Sequence, residues 1–436
     1  MLRLVFPVLA EQLLHALVML VDVWLAGNIL KEAPELAAIG LMAYTMWFLT
    51  GMFDFVNSGA TALTARFVGA GNLRRAQQIT CQAVVLGGLV AVGAMVIGYL
   101  TARPFVTAMR LQPDAADLAV RYIHIILPVL PAIMLQRVGI ACLRGAGDMV
   151  TVFWVMSVVN LVNIGVSCWL VIGGGPVSPM GWDGIALGTA AAHVTGGLLV
   201  LGTLLRGRGG LRLYGRWLRP DRKQIGRLLR IGIPGGTDTV SIIACHMGFV
   251  AIINALGNEA AAAHNVAIRL ESLAFLPGAA FSLAATTMAG QYLGAGDSRR
   301  ADRGVMLACA TACGIMLTVG LLFFFGGRWL ADIFLDPQQT AIAQQAASLL
   351  RIASYAMLPL ALHMVLSGAL RGAGDTRWPL LFTLVGMLGI RIPIACLLTP
   401  WYGVAGAWWA MLIDISLRCL MVVYRFRHGG WKRTVV

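Results

Sequence analysis

Charge is scarce in this chain, and what there is leans one way. Only 12% of the 436 residues are Asp, Glu, Lys or Arg, and 19 acidic residues stand against 33 basic ones. A water-soluble domain carries roughly twice that charged share, so a soluble globular fold is excluded. Cysteine is equally uninformative as chemistry. Cys81, Cys142, Cys168, Cys245, Cys309, Cys313, Cys396 and Cys419 form no CxxC pair and mostly fall inside apolar runs, which supports neither a zinc site nor a disulfide framework. No cluster of His and carboxylates gathers near one membrane face, and no Ser/His arrangement stands out, so an integral-membrane transferase or protease finds no support. Long polar connections are missing as well, except between residues 206 and 230.

What is abundant is apolar. Hydrophobic residues make up 59% of the chain and the mean hydropathy is +0.80. A helix of about 20 apolar residues crosses roughly 30 Å of hydrocarbon. Stretches of that length lie near 4–28, 38–65, 78–101, 118–141, 150–172 and 184–205, and again near 231–257, 263–291, 303–326, 345–369, 378–399 and 403–424. The expectation is an all-α membrane protein with twelve transmembrane helices. Arg3 ahead of an apolar run imitates a signal peptide over residues 1–27, but Glu11 and Asp22 interrupt the run, and it is read as a retained first helix.

The chain is one half written twice. Leu143 to Asp148, reading LRGAGD, returns unchanged as Leu370 to Asp375, 227 residues further on. Gly69-Ala70-Gly71-Asn72 with Arg74, Arg75 and Ala76 returns as Gly294-Ala295-Gly296-Asp297 with Arg299, Arg300 and Ala301, and Pro7 matches Pro234. Three matches at nearly one period mark an internal repeat, which in a membrane protein points to a transporter. The expected organisation is an N-terminal six-helix bundle over 1–205, a basic cytoplasmic linker over 206–230 and a C-terminal six-helix bundle over 231–436. The linker is read as solvated, because Gly207, Gly209, Gly210 and Pro220 break any long helix.

Basic residues provide a second check on the count, since cytoplasmic loops collect Lys and Arg. With the N-terminus inside, inner segments hold 23 of the 33 and outer loops hold Lys31, Arg103, Arg110 and Arg328. Both termini are therefore expected in the cytoplasm. The net charge of +14 reads as topology and attraction to anionic lipid, not as nucleic-acid binding. The repeated RGAGD lacks the Lys-Ser/Thr of a phosphate loop and is read as a structural turn. In that turn Gly allows a left-handed cap, and Asp148 and Asp375 cap the next helix or pair with an arginine.

Charged residues within the spans carry more information, because each costs about 2.5 to 3.5 kcal/mol at the bilayer centre. Asp22 lies among Leu20, Val21, Val23, Trp24 and Leu25 with no cation near it on the same helix. Such a carboxylate can exchange a proton or coordinate Na⁺ with neutral oxygens. Asn160, Asn163 and Ser167 on the fifth span and Thr189 on the sixth are its candidate partners. Glu271 has Arg269 close in sequence, which leaves two readings open: a structural ion pair, or a carboxylate facing substrate. Asp414 and Arg418, spaced i, i+4, suggest an intrahelical pair. Asp54, Asp238, His193, His246 and His363 are weaker candidates. Pro7 and Pro234 start the two halves at equivalent places and are candidate hinges.

Taken together, the two six-helix halves, the run Leu-Val-Asp-Val-Trp-Leu-Ala-Gly at 20–27, the paired Gly-Ala-Gly-(Asn/Asp)-x-Arg-Arg-Ala loops and the paired LRGAGD closely resemble the multidrug and toxic compound extrusion (MATE) family, bacterial type. The resemblance covers the whole chain. It implies two bundles related by a pseudo-twofold axis along the membrane normal, a central cavity, and efflux of organic cations and drug-like compounds in exchange for H⁺ or Na⁺. It further implies that Asp22 is the coupling-ion residue, joined by Asn163 and Thr189, a set that could hold Na⁺. Two positions depart from family patterns. Ser167 stands where one branch carries a second carboxylate, and none lies around Ser241 to Ile243 where another carries a Glu. Both departures shift the charge burden to Asp22 and Glu271.

The functional expectation is a secondary antiporter and not an enzyme. It acts on a small-molecule substrate, cationic or aromatic, as a monomer in the inner membrane, with lipids around it, no nucleic acid and no cofactor beyond the coupling ion. The alternative is a flippase for a lipid-linked precursor. A pyrophosphate there would want a strongly cationic interior, whereas the embedded arginines are few and scattered.

Overall fold

An apolar backbone in hydrocarbon has to satisfy its own hydrogen bonds, and every regular element among the described residues is helical. The computed structural model describes residues 2–30, 33–109, 112–173, 178–335 and 338–434, while the side chains of residues 2–3, 15–20, 22–23, 27–28, 33, 36–37 and 43–44 lie outside the described set. The N-terminal half holds α1 (Leu2–Leu25), α2 (Ala33–Met52), α3 (Asp54–Gly69), α4 (Leu73–Ala108), α5 (Pro113–Ile126), α6 (Leu130–Ala146), α7 (Met149–Ile172) and α8 (Trp182–Leu205). The C-terminal half holds α9 (Arg222–Asn254), α10 (Asn258–Gly294), α11 (Ser298–Asp332), α12 (Thr340–Gly372), α13 (Arg377–Thr383) and α14 (Ile392–His428).

Among the described residues nine helices are long and apolar enough to cross a membrane, or ten if α2 and α3, bent by 45°, are one span. The last of the nine, Arg377–His428, is a 52-residue stretch whose backbone leaves the helix at Gly403 (φ 57°, ψ −143°), the first residue of the second of the two spans expected there. α5 and α6 continue one another through a 3-10 turn at Leu127–Val129, where Pro128 and Pro131 remove two donors. Several helices run past their apolar windows, because their ends are set by caps. Asn72 accepts a bond from the Arg75 amide at 3.1 Å and Asp297 from the Arg300 amide at 2.8 Å, so α4 and α11 start on the same device in both halves.

The chain divides into two compact units, one of residues 10–232 and one of residues 1–9 with 233–436. The division therefore falls inside α1 and α9, close to Pro7 and Pro234. In the first unit α6 packs against α3, α4 and α8; in the second α12 packs against α10, α11 and α14. α6 and α12 are the helices that end in LRGAGD.

The Arg and both Gly of that motif have a physical job repeated in the second copy, whereas the Asp has a different one in each. Arg144 pairs with Glu11 of α1, and Arg371 pairs with Asp238 of α9 at 2.5 Å; both pairs join residues 133 apart. Glu11 and Asp238 are 3% and 2% exposed, so each acid needs its arginine. A Cβ on Gly145 would sit 2.7 Å from the Thr61 carbonyl oxygen, and one on Gly372 would overlap that of Thr286. The same threonines donate to the carbonyls of Ala141 and Gly368, at 3.1 and 2.8 Å. Gly147 and Gly374 take the left-handed conformation, φ 86° and 83°. Asp148 caps α7 through the Thr151 amide at 3.1 Å, whereas Asp375 accepts two bonds from Arg425 of α14, at 2.7 and 3.1 Å.

Gly372→Ala is accordingly expected to destabilise the protein by about 1 to 3 kcal/mol through overpacking against a backbone that cannot yield. Gly314→Ala, at an exposed α11 position with open space around it, should be neutral or slightly stabilising. Thermal unfolding of the two variants in detergent tests the contrast, and equal midpoints would refute the packing argument.

Candidate functional site

Asn160, Asn163 and Ser167 follow one another at i, i+3 and i+7 and so share one face of α7. All three are buried, at 2%, 0% and 0% exposure. The face is turned to α8: the Asn163 amide Nδ2 donates to Thr189 Oγ1 at 3.2 Å, and a Cβ on Gly188 would overlap the Ser167 hydroxyl. Small residues on α8 thus let the polar face of α7 approach closely. Asn160 Nδ2 donates to the Met156 carbonyl at 2.7 Å. Three buried oxygens on this face, Asn160 Oδ1, Asn163 Oδ1 and Ser167 Oγ, have no hydrogen-bond partner among the described residues. Buried acceptors are ordinarily satisfied, and a row of unsatisfied ones is suited to a hard cation or a proton donor. Asp22 is helical and in the same unit, but its side chain lies outside the described residues.

The polar chain continues one turn further along α8. His193 Nδ1 meets Gln136 Oε1 at 2.8 Å, and Gln136 Nε2 donates to the Met156 sulfur at 3.4 Å. Gln136 is 2% exposed, and Gly196 leaves room for it. Sequence reading passed over Gln136, because a lone amide on an apolar helix carries no pattern.

The second unit contains a denser charged group. Asp414, fully buried, accepts from Arg391 at 2.8 and 2.9 Å and from Arg418 Nε and Nη2, both at 2.8 Å. The i, i+4 pair expected from Asp414 and Arg418 is present, but it is only part of a cluster. Arg418 also reaches His363 Nε2 at 3.4 Å. Arg391 ends the π-helical stretch Leu384–Arg391. Pro393, two residues on, has no amide to donate back to that stretch. A Cβ on Gly386 would strike Asp414 and Arg418, so a glycine is needed for the cluster to close.

Glu271 of α10 is buried, its Oε2 has no partner among the described residues, and Arg391 is the cation within electrostatic reach. Arg269 is exposed and forms no ion pair among the described residues. Of the two readings left open for Glu271, the pair with Arg269 is therefore not formed, because two residues along a helix point to different faces. Asp54 lies in the other unit, where it accepts from Asn57 at 3.0 Å and feels the charge of Arg137. Pro7 and Pro234 sit inside α1 and α9. Phe249, which the 227-residue offset places opposite Asp22, packs its ring on His264 and under Arg391, at 6.1 and 5.6 Å. Trp408 Nε1 donates to His264 Nδ1 at 3.2 Å, completing an aromatic wall in the second unit. No group of three His, Cys, Asp or Glu able to hold a metal occurs among the described residues.

Comparison with known proteins places this architecture. The probable multidrug resistance protein NorM of Thermotoga maritima is 26% identical over 100% of this chain and 93% of its own length. The multidrug resistance protein NorM of Burkholderia vietnamiensis is 28% identical over 97% of this chain and 92% of its own. An outward-facing multidrug resistance MATE family transporter of the MOP superfamily shares the fold with a TM-score of 0.91 at 20% identity, covering 99% of this chain and 96% of that one. The profile of the MatE family matches residues 7–169 and 239–397, once in each half. With both halves matched and the repeated motifs explained by the fold, the chain belongs to the MatE family, the multidrug and toxic compound extrusion proteins.

Proposed function

We propose that the protein is a secondary antiporter that exports organic cations or drug-like compounds in exchange for H⁺ or Na⁺. It is a multi-pass membrane protein of a family of transporters, not an enzyme. Its placement in the inner membrane with both termini cytoplasmic, its twelve helices in two bundles and its action as a monomer belong to the same proposal, as does a cationic or aromatic substrate. The observation that carries the coupling assignment is the α7 face, where Asn160, Asn163 and Ser167 hold three partnerless buried oxygens opposite Thr189. Asp22, from α1 of the same unit, is assigned as the carboxylate that provides the charge. Asn163 and Thr189 complete the oxygen set, which suits either Na⁺ or a proton held between carboxyl and amide.

One-for-one exchange of a monovalent cation for H⁺ or Na⁺ moves no net charge, so the ion's concentration gradient drives it: a tenfold gradient supplies about 1.4 kcal/mol, enough for about a tenfold substrate gradient, and one titrating or Na⁺-binding carboxylate suffices. The flippase reading gains no support from Arg391 and Arg418, whose guanidinium groups are already committed to Asp414. Purified protein in liposomes, loaded with a fluorescent organic cation and given separate H⁺ and Na⁺ gradients, tests the proposal. Uphill movement of the cation under one gradient and not in its absence is expected. Failure under both gradients, with the protein folded and oriented, would overturn it.

A further inference from the structure

The connection between α8 and α9 is not the solvated linker its composition suggests. Gln77 of α4 donates to the Gly210 carbonyl at 2.9 Å. Gln82, 2% exposed, donates to the carbonyls of Trp217 and Arg219 at 2.6 and 2.8 Å and accepts from the Asp221 amide at 2.8 Å. Leu211 is fully buried and its segment is pinned at both ends. Short 3-10 turns at Arg208–Gly210 and Gly215–Trp217 give the segment a defined shape. Two glutamines therefore hold a basic segment as a fixed surface on the first unit.

That surface is cationic and carries its own aromatics. Arg212, Arg216, Arg219 and Arg222 are exposed, and among the described residues none of them forms an ion pair. The Arg216 guanidinium lies 4.5 Å from the Trp217 ring centre and 5.3 Å from that of Tyr214, with Arg212 at 5.6 Å from Tyr214. The rings hold the guanidiniums in place without neutralising them, so the charges stay available to a ligand. Because the segment joins the ends of two membrane-crossing helices, it lies at the depth of the headgroups.

We infer that residues 206–222 form a binding platform for the phosphate headgroups of anionic phospholipids. Charge complementarity chooses the occupant: several unpaired guanidiniums at headgroup depth match phosphodiesters bidentately. Basic residues beside a membrane each add to the attraction for anionic lipid. A held platform also binds without having to be ordered first, which a solvated linker would have to be.

The test uses the full-length protein in neutral detergent, with native mass spectrometry counting bound lipid in titrations with phosphatidylglycerol and phosphatidylcholine of equal chain length. The wild type should retain phosphatidylglycerol in preference. Replacing Arg212, Arg216 and Arg219 together by Gln should lower that affinity by about 100-fold while leaving phosphatidylcholine unchanged. Replacing the same three by Lys should keep most of the preference, which separates charge from misfolding. Equal retention of the two lipids by the wild type, or an undiminished preference in the Gln variant, would overturn the inference. So would displacement of phosphatidylglycerol by inorganic phosphate at matched ionic strength, since the platform would then be a site for the free ion. Binding of an acidic soluble protein in place of lipid would count against it in the same way.

Discussion

Cells expressing Asp22→Asn should lose gradient-driven efflux while the protein still reaches the membrane in normal amount. The substitution keeps the size and one oxygen of the side chain, replaces the other by an NH₂ donor, and removes the charge and the titrating proton. If Asp22 carries the coupling ion, the variant loses the whole contribution of that ion, about 1.4 kcal/mol for each tenfold gradient of it. Its accumulation ratio for a monovalent cationic substrate, about tenfold under a tenfold ion gradient, should then fall to unity. Downhill exchange can persist, because substrate binding does not itself require the charge to move. Asn163→Ala should weaken the same site without abolishing it, since it removes one neutral oxygen and the bond to Thr189. Undiminished drug resistance in cells carrying Asp22→Asn would sink the assignment.

Asp414→Ala should cost about 3 to 5 kcal/mol of stability, the range for removing one partner of a buried ion pair. Two guanidiniums depend on this single carboxylate, and Arg391 and Arg418 are only 6% and 7% exposed. Left without it, both would be buried charges, with Glu271 in electrostatic reach of Arg391 but not paired to it. The measurement is the unfolding midpoint in detergent together with the monodisperse yield. Asp332→Ala, which breaks the exposed i, i+4 pair with Arg328, should shift stability by less than about 0.5 kcal/mol. Replacing Asp414, Arg391 and Arg418 together by Leu, Met and Met should recover most of the loss, because apolar substitutes of similar volume often stand in for a buried ionic cluster. A stable triple variant that still transports would show that the cluster serves the fold. A loss under 1 kcal/mol for Asp414→Ala would contradict the burial argument.

How much of this was legible beforehand varies from residue to residue for physical reasons. The helices and the duplication were readable because a hydrocarbon-crossing segment has to be apolar throughout and a repeat has to be periodic. Asn163 and Thr189 stood out as polar residues in apolar helices and were read as partners of Asp22; that they bond to each other was not foreseen. The pairs Glu11 with Arg144 and Asp238 with Arg371 were present in the sequence at the same offset and could have been found by extending the repeat from Arg to its acid. Glu11 hides the symmetry because its counterpart is the shorter Asp238. Gln136 and Arg391 were not legible and His363 was only a weak candidate: each is a single polar residue whose partner lies far along the chain, and no local spacing announces such a contact. The glycines that make room for these groups, Gly196 and Gly386, had no signal of their own. Gln77 and Gln82 were overlooked because the basic stretch they hold looks, from composition alone, like solvated chain.

The division of the chain carries a consequence for how the protein is made. Glu11 and Arg144 belong to one unit, so that unit can close its ion pair as soon as residue 144 has left the ribosome and entered the bilayer, well before Arg371 exists. Domains emerging early generally fold early. The first turns of α1, up to Leu9, instead group with residues 233–436. Residues 1–9 therefore find these packing partners only once residues 233–436 have followed them, more than 220 positions later, and completion of the second unit joins two segments made far apart in time.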